Sequence, residues 1–401
     1  MTAYLKTSNP LISRLLGRTQ SLFAEDLNLR TADLKEVIEG RKLMIAGAAG
    51  SIGLAFVKQV LLFRPAAVYL IDPDENGLVE AIRDLRSSSI VMPNEFYSFS
   101  IGIGSDEFES FVQNQSTCDY FINFAALKHV RSERDPYSLL RMIYTNLRAL
   151  RDVLLMSPTL GFRHMFSVSS DKAVNPANLM GATKLLMEKL LWSYGDCINV
   201  STARFANVAF SAGSLLDGFE QRLKKNQPLA GPKDIMRYFI SHEEAGQLCL
   251  LACFLSSNRQ VFIPKMTCDE HLKSFQDIAV EYLNYNNFEP KFCSSEEEAK
   301  EVLVGDNNEW PIYFSKSDTS GEKFIETFAE DDIKVDYKKF KAIGLINADP
   351  IERSFLDEFF YEIEELRASG SLTLNTIVDI VERAVPEFDH VKRSRNLDQK
   401  M

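Results

Sequence analysis

The chain has 401 residues, and its 45 lysines and arginines against 56 aspartates and glutamates give a net charge of −11 at pH 7. A hydrophobic content of 45% is too high for a disordered chain, and the length suffices for about two or three domains with a large core. The acidic balance disfavours a non-specific nucleic-acid binder, which needs clustered cations to neutralise phosphates.

Predicted strands and helices alternate along most of the chain. Residues 1–40 have apolar residues at helical spacing and predict a helical extension. From residue 41, short apolar runs alternate with longer segments of helical periodicity, such as 54–63 and 139–155, which is typical of βαβ units. The predicted strands are 43–46, 67–71, 97–101, 120–124, 165–168, 199–205 and 261–264. The predicted fold class is therefore α/β, with a Rossmann-like, doubly wound parallel sheet.

A glycine-rich turn joins the first predicted strand to the helix that follows it. Gly47 permits a tight turn, Gly50 lets the backbone approach a pyrophosphate, and Gly53 lets the helix pack closely on the strand. The first helical residues, Ser51 and Ile52, bring backbone N–H groups and the positive end of the helix dipole to the phosphates. Strand, turn and helix together predict a dinucleotide-binding site.

Asp72 ends the second predicted strand, about 20 residues after Gly53, at the offset of a carboxylate that binds the ribose hydroxyls of a dinucleotide. A carboxylate repels a 2′-phosphate, and residues 72–81 contain no lysine or arginine that would bind one. The sequence therefore favours NAD over NADP. The alternative is that Asp72 only caps the turn that follows it.

Further segments carry a resemblance to a known family. The glycine spacing looks like that of the extended short-chain dehydrogenase/reductase family. One branch is resembled more closely, the nucleotide-sugar dehydratases of polysaccharide biosynthesis, notably the UDP-N-acetylglucosamine 4,6-dehydratases. The resemblance covers about residues 15–330 and rests on AALKHV (125–130), SDKAVNP (170–176), MGATK (180–184), RFAN (204–207) and MRYF (236–239). It includes LGR (16–18) upstream and GEK (321–323) downstream.

The resemblance also points to the proton-transfer residues. The wider family has a tyrosine and a lysine four residues apart on one helix, and the corresponding residues here are Met180 and Lys184. A thioether has no proton to exchange, so we expect Asp171 and Lys172, which follow the fifth predicted strand, to move the protons. The resemblance implies that Lys184 binds the nicotinamide ribose and that Ser170 holds the oxygen on carbon 4 of the sugar.

Other site residues are implied by matching positions. Ala125 and Ala126, after the fourth predicted strand, would line the NAD site. Asn146 would order water and backbone near Lys184, although a helical asparagine with all its hydrogen bonds satisfied and no part in the site is an equal alternative. The residues implied to bind the nucleotide-sugar substrate are Lys128, Asn207 and Arg237.

The implied reaction is an NAD-dependent 4,6-dehydration in three steps. The sugar gives hydride from carbon 4 to NAD⁺, and the resulting ketone acidifies the proton on carbon 5. Lys172, as base, removes that proton while Asp171, as acid, assists loss of the carbon 6 hydroxyl as water. Hydride then returns to carbon 6. The expected substrate is UDP-N-acetylglucosamine, on the way to a deoxy-amino sugar of a surface glycan.

Two other functions stay open. A nucleotide-sugar epimerase on the same scaffold would exchange a proton or oxidise carbon 4 without losing water. A non-catalytic NAD-binding protein is conceivable because the usual tyrosine is missing, but the joint presence of Asp171, Lys172 and Lys184 favours an enzyme. The chain also departs from the family at Ala46, where a threonine is usual, and at Ile103, where many relatives have an aspartate that binds adenine.

The sequence divides into four predicted parts. They are a helical extension (1–40), an NAD-binding domain (41–206), a smaller mixed α/β nucleotide-sugar-binding region that shares some strands with the core sheet (207–330), and a mostly helical C-terminal extension (331–401). In the last part, Phe355, Phe359, Ile363 and Leu366 form an apolar stripe at helical spacing. The stripe is compatible with a subunit interface, but we favour packing against the main body.

Cellular compartment and partners are predicted from what the sequence lacks. The most apolar stretch, 44–63, contains Lys58 and Gln59, so it does not read as a transmembrane helix, and the N-terminus does not read as a signal peptide. Cys249 and Cys253 lie four residues apart in an apolar run, which predicts buried thiols on a helix rather than a metal site. We expect a cytoplasmic protein with reduced cysteines and no metal ion. The resemblance implies a homo-oligomer, because relatives assemble through helices that flank the one carrying Lys184.

Overall fold

The computed structural model describes residues 9–114, 117–302, 308–317 and 321–389. The helices are α1 (Pro10–Leu16), α2 (Ala24–Ile38), α3 (Ser51–Val60), α4 (Glu75–Ser87), α5 (Asp106–Asn114), α6 (Pro136–Ile143), α7 (Ala149–Leu155), α8 (Ser157–Leu160), α9 (Leu179–Tyr194), α10 (Leu215–Lys224), α11 (His242–Phe254), α12 (Cys268–His271), α13 (Phe275–Tyr285), α14 (Glu296–Glu301), α15 (Arg353–Ala368) and α16 (Leu374–Ala384).

The strands alternate with these helices in the first two thirds of the chain. They are β1 (Lys42–Ala46), β2 (Ala67–Ile71), β3 (Glu95–Phe99), β4 (Tyr120–Asn123), β5 (His164–Ser170), β6 (Asn199–Phe205), β7 (Asn207–Val208), β8 (Leu229–Pro232), β9 (Met236–Ile240), β10 (Gln260–Pro264), β11 (Leu272–Ser274), β12 (Glu289–Phe292), β13 (Glu309–Ser315) and β14 (Ile343–Asn347).

The main sheet confirms the predicted α/β, Rossmann-like fold. Its strand order is β14-β10-β6-β5-β4-β1-β2-β3, and all neighbouring pairs are parallel except β10 with β14. The order reverses between β1 and β4, and ligands of such sheets bind beyond the carboxyl ends of the strands at this point. All seven predicted strands lie in this sheet. The third begins and ends two residues earlier than predicted, at Glu95 and Phe99. The predicted residues after Phe99 belong to the connection to α5, which turns at Gly104, whose φ is +77°.

The eighth strand of the main sheet, β14, was not predicted. It lies in the segment predicted to be mostly helical, and it pairs antiparallel with β10. The carboxylate of Asp26 on α2 accepts hydrogen bonds from the backbone N–H groups of Lys341 and Ala342, at 2.7 and 2.9 Å, just before β14. A contact across more than 300 residues fixes this strand, and no local pattern announces it.

Two small sheets lie beside the main one, with orders β11-β9-β7 and β12-β13-β8. They enclose an apolar cluster that includes Phe219, Trp310 and, from α1, Leu15 and Leu16. Strands β7 and β9 bring Asn207 and Arg237 toward the carboxyl end of β5.

Helix α9 is buried on nearly all its sides. Every one of its residues except Lys189 is buried, and α15 and α16 pack on it from the side away from the sheet. Phe359 and Ile363 are 3% and 2% exposed within the same apolar cluster as α9, and Leu366 is half-buried against it. The predicted packing of the apolar stripe against the main body is confirmed for these residues, while the side chain of Phe355 lies outside the described part.

Helix α11 carries the two neighbouring cysteines. Cys249 and Cys253 are free thiols and almost wholly buried, as predicted. Within the described ranges, none of the helices combines the length and the apolar character that a membrane span requires.

We predict that Ile377→Ala on α16 lowers the free energy of unfolding by about 2–5 kcal/mol. Ile377 is fully buried in the cluster with α9, and the truncation removes apolar contacts and leaves a cavity. Denaturant unfolding of the purified variant measures the change.

Val79→Ala is the matched control, because Val79 on α4 is 42% exposed and its truncation should change stability by less than about 0.5 kcal/mol. Equal effects of the two variants would contradict a buried role for α16.

Candidate active site

The glycine turn between β1 and α3 is packed too tightly for side chains at two positions. Gly47 has φ +72°, and a Cβ there would overlap the backbone N of Ala125. A Cβ at Gly53 would overlap the carbonyl oxygen of Gly47. These contacts hold the turn against the end of β4 and the first turn of α3 against β1.

Gly50 differs from its two neighbours. Its φ is −64°, and a Cβ would meet the Gly47 carbonyl oxygen at 3.3 Å, a tight but tolerable distance. The fold therefore does not force a glycine here, so a ligand approaching the backbone remains the better reason for it. Helix α3 begins at the next residue, which puts the N–H groups of Ser51 and Ile52 at this turn.

Asp72 braces the glycine turn from the end of β2. Its side chain accepts hydrogen bonds from the backbone N–H groups of Ala49 and Asp74, both at 3.0 Å, and it is 8% exposed. Burial raises the pKa of Asp72, while these two hydrogen bonds act in the opposite direction. Asp72 thus helps to cap the following turn and also touches the glycine turn, so the capping alternative and a site role are compatible.

Asp171 and Lys172 meet in a short 3₁₀ turn at the carboxyl end of β5. Lys172 Nζ donates to Asp171 Oδ1 over 2.9 Å and to Asn207 Oδ1 over 3.1 Å. Ser170 caps the turn by accepting the Lys172 backbone N–H at 3.2 Å. Burial raises the pKa of Asp171, and the neighbouring Lys172 opposes that rise. The turn therefore directs two consecutive side chains into one hydrogen-bonded acid–base pair.

Lys184 lies on α9 beside the same strand. Its Nζ donates to the carbonyl oxygen of Val168 on β5 over 3.0 Å, and burial lowers its pKa to about 8. Met180 is one turn earlier and is 4% exposed. The thioether of Met180, which we expected to match the family's tyrosine, thus lies in a wholly buried part of the helix.

Asn146 connects the loop after β4 to α9. It lies in a π-helical turn, Tyr144–Arg148, between α6 and α7. Its amide accepts from the Leu127 N–H at 2.8 Å and donates to the Leu127 carbonyl and to Thr183 Oγ1, both at 3.0 Å. All its hydrogen bonds are satisfied, and those bonds hold the loop that contains Ala125 and Ala126 between the glycine turn and α9. The structure thus shows a fully hydrogen-bonded asparagine, and its part in the NAD site stays a prediction.

The three predicted substrate-binding residues lie in different surroundings. Asn207 contacts Lys172 directly. Arg237 is 4% exposed, and its Nη1 donates to the backbone carbonyls of Met236, Lys323 and Phe324. Lys128 is exposed and lies near Asp217; loss of solvent around its ammonium lowers its pKa, and Asp217 opposes this.

Glu326 is a site residue that the sequence did not suggest. It is 4% exposed and lies 3.9 Å from Lys172 Nζ, 3.9 Å from Arg237 Nη2 and 3.4 Å from Lys323 Nζ. Burial opposes its ionisation, but the three cations together hold the pKa of Glu326 below its usual value. The nearest sequence signal was the GEK segment (321–323), which belongs to the family resemblance and precedes Glu326 by a few residues.

Glu133 is the second residue that sequence reasoning missed. Its Oε1 accepts the Met180 backbone N–H at 2.9 Å and so binds the first turn of α9. Burial raises the pKa of Glu133 to about 7 against the effect of this hydrogen bond. No pattern around this residue indicates a contact with a helix that begins 46 residues later.

In the part of the chain that the structure describes, no group of three or more histidine, cysteine, aspartate or glutamate residues is arranged to hold a metal ion.

Comparison with known proteins identifies relatives over most of the chain. The sequence pattern of the family described as polysaccharide biosynthesis protein matches residues 43–345. An uncharacterized membrane protein of Methanocaldococcus jannaschii is 30% identical over 68% of this chain and 79% of its own length. A UDP-N-acetylglucosamine 4,6-dehydratase (inverting) of Campylobacter jejuni is 28% identical over 57% of this chain and 68% of its own length.

Other relatives differ in length or in reaction. The chain spans 44% of the probable polysaccharide biosynthesis protein EpsC of Bacillus subtilis, at 30% identity. A UDP-glucose 4-epimerase of Rickettsia bellii is 26% identical over 71% of this chain and 88% of its own length. The relatives thus include both dehydratases and epimerases of nucleotide sugars.

Solved structures share the fold. Pen from Bacillus thuringiensis has a TM-score of 0.64 at 19% identity and covers 82% of this chain and 98% of its own. The dTDP-glucose 4,6-dehydratase DesIV of Streptomyces venezuelae, solved with NAD bound, has a TM-score of 0.56 at 15% identity over 72% of this chain and 88% of its own.

We predict that Gly53→Ala destabilises the protein and abolishes binding of a dinucleotide, because the added Cβ overlaps the Gly47 carbonyl and pushes α3 away from the turn. Thermal unfolding and calorimetric titration with NAD measure the two effects.

Gly218→Ala is the matched control. Gly218 lies inside α10 with no atom within 4 Å of an added Cβ, so the variant should be up to about 1 kcal/mol more stable and bind as before. Normal stability and binding of Gly53→Ala would contradict the role given to the turn.

Glu133 predicts a pH-dependent stability. The raised pKa means that the folded state binds a proton more tightly than the unfolded state, so the stabilisation is complete below the unfolded pKa of ~4.5 and is lost as pH rises through about 7. Glu133→Gln keeps the acceptor for the Met180 N–H but cannot ionise. Its melting temperature should therefore fall less than that of the wild type between pH 5 and pH 8, and parallel curves would refute the assignment.

Proposed function

Because the chain belongs to the polysaccharide biosynthesis protein family, of the extended short-chain dehydrogenase/reductase type, we propose that it is an NAD-dependent nucleotide-sugar 4,6-dehydratase. UDP-N-acetylglucosamine is the proposed substrate. The observation that carries the proposal is the hydrogen-bonded pair of buried Asp171 and half-buried Lys172 at the carboxyl end of β5. Elimination of water needs an acid and a base side by side, whereas a simple epimerisation at carbon 4 needs no such pair.

The residues at the sheet's switch point fit NAD. Two glycines whose Cβ positions are already filled by backbone shape a turn at the N-terminus of α3, and Gly50 leaves its backbone accessible. Asp72 would hold the adenosine ribose and Lys184 the nicotinamide ribose, with Ala125 and Ala126 lining the site. When bound, NAD supplies reversible oxidation at carbon 4 of the sugar and reduction at carbon 6.

One hydrogen bond can generate both the acid and the base. Lys172 Nζ donates to Asp171 Oδ1 over 2.9 Å, and movement of that proton to the carboxylate gives a neutral amine and a carboxylic acid. The amine then takes the proton from carbon 5, and the acid gives its proton to the departing carbon 6 hydroxyl, which leaves as water. Lys172 ends as an ammonium and Asp171 as a carboxylate, so the elimination restores the ion pair. Oxidation at carbon 4 releases the hydroxyl proton, and the return of hydride to carbon 6 is completed by protonation of carbon 5. These two steps release and take up one proton each, so the whole cycle loses only water.

The buried environment favours this exchange. Loss of solvent disfavours the carboxylate form of Asp171, which is 3% exposed at its side chain, more than it disfavours the acid. Ser170, whose Oγ already accepts the Lys172 N–H, is the residue we assign to the carbon 4 oxygen. Met180 offers no proton at the position of the family's tyrosine, which leaves these neighbours as the proton carriers.

The substrate contacts are proposed from charge and access. Asn207 and Lys128 remain candidates for the sugar and the pyrophosphate. Arg237 has less freedom, because its Nη1 is committed to three carbonyl oxygens. A phosphate would therefore have to meet its Nη2, which lies 3.9 Å from both Glu322 and Glu326.

An isotope experiment tests the reaction. The protein is incubated with UDP-N-acetylglucosamine in deuterated water, and the sugar nucleotide is analysed by mass spectrometry. Loss of one water with gain of one deuterium supports the dehydratase. Exchange without loss of water would support an epimerase that acts at carbon 5. A 4-epimerase, the reaction named for the Rickettsia relative, leaves the mass unchanged but inverts carbon 4, which proton NMR of the sugar nucleotide detects. An unchanged mass and an unchanged NMR spectrum with tight NAD binding would reject catalysis on this substrate.

We predict that Asp171→Asn lowers the rate of water loss by at least about 10²-fold, because an amide cannot protonate the leaving hydroxyl. NAD binding, measured by calorimetric titration, should stay near the wild-type value.

Asp33→Asn serves as the control, since Asp33 is an exposed carboxylate on α2 and its replacement should leave turnover unchanged. Near-normal turnover of Asp171→Asn would reject the proposed acid.

A further inference from the structure

Glu326 is a buried carboxylate, and stabilisation of the fold alone does not explain the charged groups around it. Its side chain is 5% exposed, and three cations face it: Lys172 from the turn after β5, Arg237 from β9 and Lys323 from its own segment. Oε2 receives no hydrogen bond from any described residue, although Lys323 Nζ lies 3.4 Å away. A buried carboxylate without full hydrogen bonding is costly, so its position calls for a reason.

The other two cations are anchored without Glu326. Lys323 Nζ donates to the Val174 carbonyl over 2.6 Å, and Arg237 Nη1 donates to three backbone carbonyls. These bonds already tie the segment that contains Glu326 to the 170–176 loop and to β9. Removal of the Glu326 charge would therefore leave the main connections of this segment intact.

Lys172 is different, because its ammonium contacts only side-chain oxygens in the described structure. Asp171 Oδ1 and Asn207 Oδ1 accept hydrogen bonds from it, and Glu326 Oε1 lies at 3.9 Å on the remaining side. The negative charge of Glu326 acts on both members of the acid–base pair. It attracts the ammonium of Lys172, and as a like charge it raises the pKa of Asp171.

We infer that Glu326 is a positioning residue for Asp171 and Lys172: its fixed charge holds the ammonium against Asp171 and sets the pH range in which the pair can act. This inference rests on the proposed function. Glu326 is then a third charged group, from a segment about 150 residues away in sequence, that acts on the protons of the neighbouring residues Asp171 and Lys172.

The direction of the effect is fixed by the sign of the charge. Glu326→Gln removes a negative charge from a site that also contains Asp171, Lys172, Arg237, Lys323 and Glu322. The Asp171 titration should then move to lower pH, because less negative charge remains to hold its proton. Lys323→Gln removes a positive charge from the same cluster and should move that titration to higher pH.

Two readouts test the inference. In protein with ¹³C-labelled aspartate carboxyl groups, the Asp171 resonance, assigned by its loss in Asp171→Asn, should titrate at least about one pH unit lower in Glu326→Gln than in the wild type. The pH profile of water loss by the same variant should shift in the same direction on both limbs. Glu326→Asp keeps the charge and should keep the wild-type midpoint of Asp171.

Glu322→Gln is the matched charge control. Glu322 is on the same segment as Glu326 and lies 3.9 Å from Arg237. Of these two glutamates, Glu326 forms the ion pair with Lys172, so the Asp171 midpoint should move less in Glu322→Gln than in Glu326→Gln. Thermal unfolding of each variant shows whether the fold is retained.

An unchanged Asp171 midpoint in folded Glu326→Gln would overturn the inference, and so would a loss of turnover without any shift of the pH profile. A wild type that never loses water from a sugar nucleotide would instead reject the proposed function, and the carboxyl titration distinguishes the two failures because it needs no turnover.

Discussion

One half-buried ammonium group links the three parts of the candidate site. Lys172 starts from the turn after β5, meets Asn207 on β7, and faces Glu326 from the segment that follows residue 320. Its hydrogen bond to Asp171 keeps a second charge buried next to it. Buried charges are tolerated only when they are paired and hydrogen-bonded, so the small sheets and the 321–326 segment have to close over β5 in one arrangement.

The glycine turn sets the other boundary of the site. The backbone of residues 124 and 125 fills the space in which a side chain at Gly47 would lie, and Asn146 holds the same loop to α9. The loop beside the glycine turn and the strand that leads to Asp171 and Lys172 are therefore both tied to α9, the strand through Lys184 and Val168, so a shift of α9 would move both. Glu133 adds a further tie at the first turn of that helix.

The C-terminal part of the chain forms part of the core. Helices α15 and α16 cover the outer face of α9, and β14 adds an antiparallel strand at the edge of the main sheet. Nearly every residue of α9 is buried, so the helix needs cover on the side away from the sheet. Helices α15 and α16 provide this cover. By packing on α9, α15 and α16 also hold in place the helix that carries Met180 and Lys184.

The sequence by itself determined the parallel sheet, the glycine turn, and the adjacency of Asp171 and Lys172. Each of these depends on residues close together in the chain, where periodicity and spacing act directly. Only the tertiary structure decided that β14 joins the sheet through Asp26, that Glu133 binds the start of α9, and that Glu326 faces Lys172. In these cases the partners are separated by about 50 to more than 300 residues, and their pairing is fixed by burial and charge balance in the folded chain, which leave no local pattern.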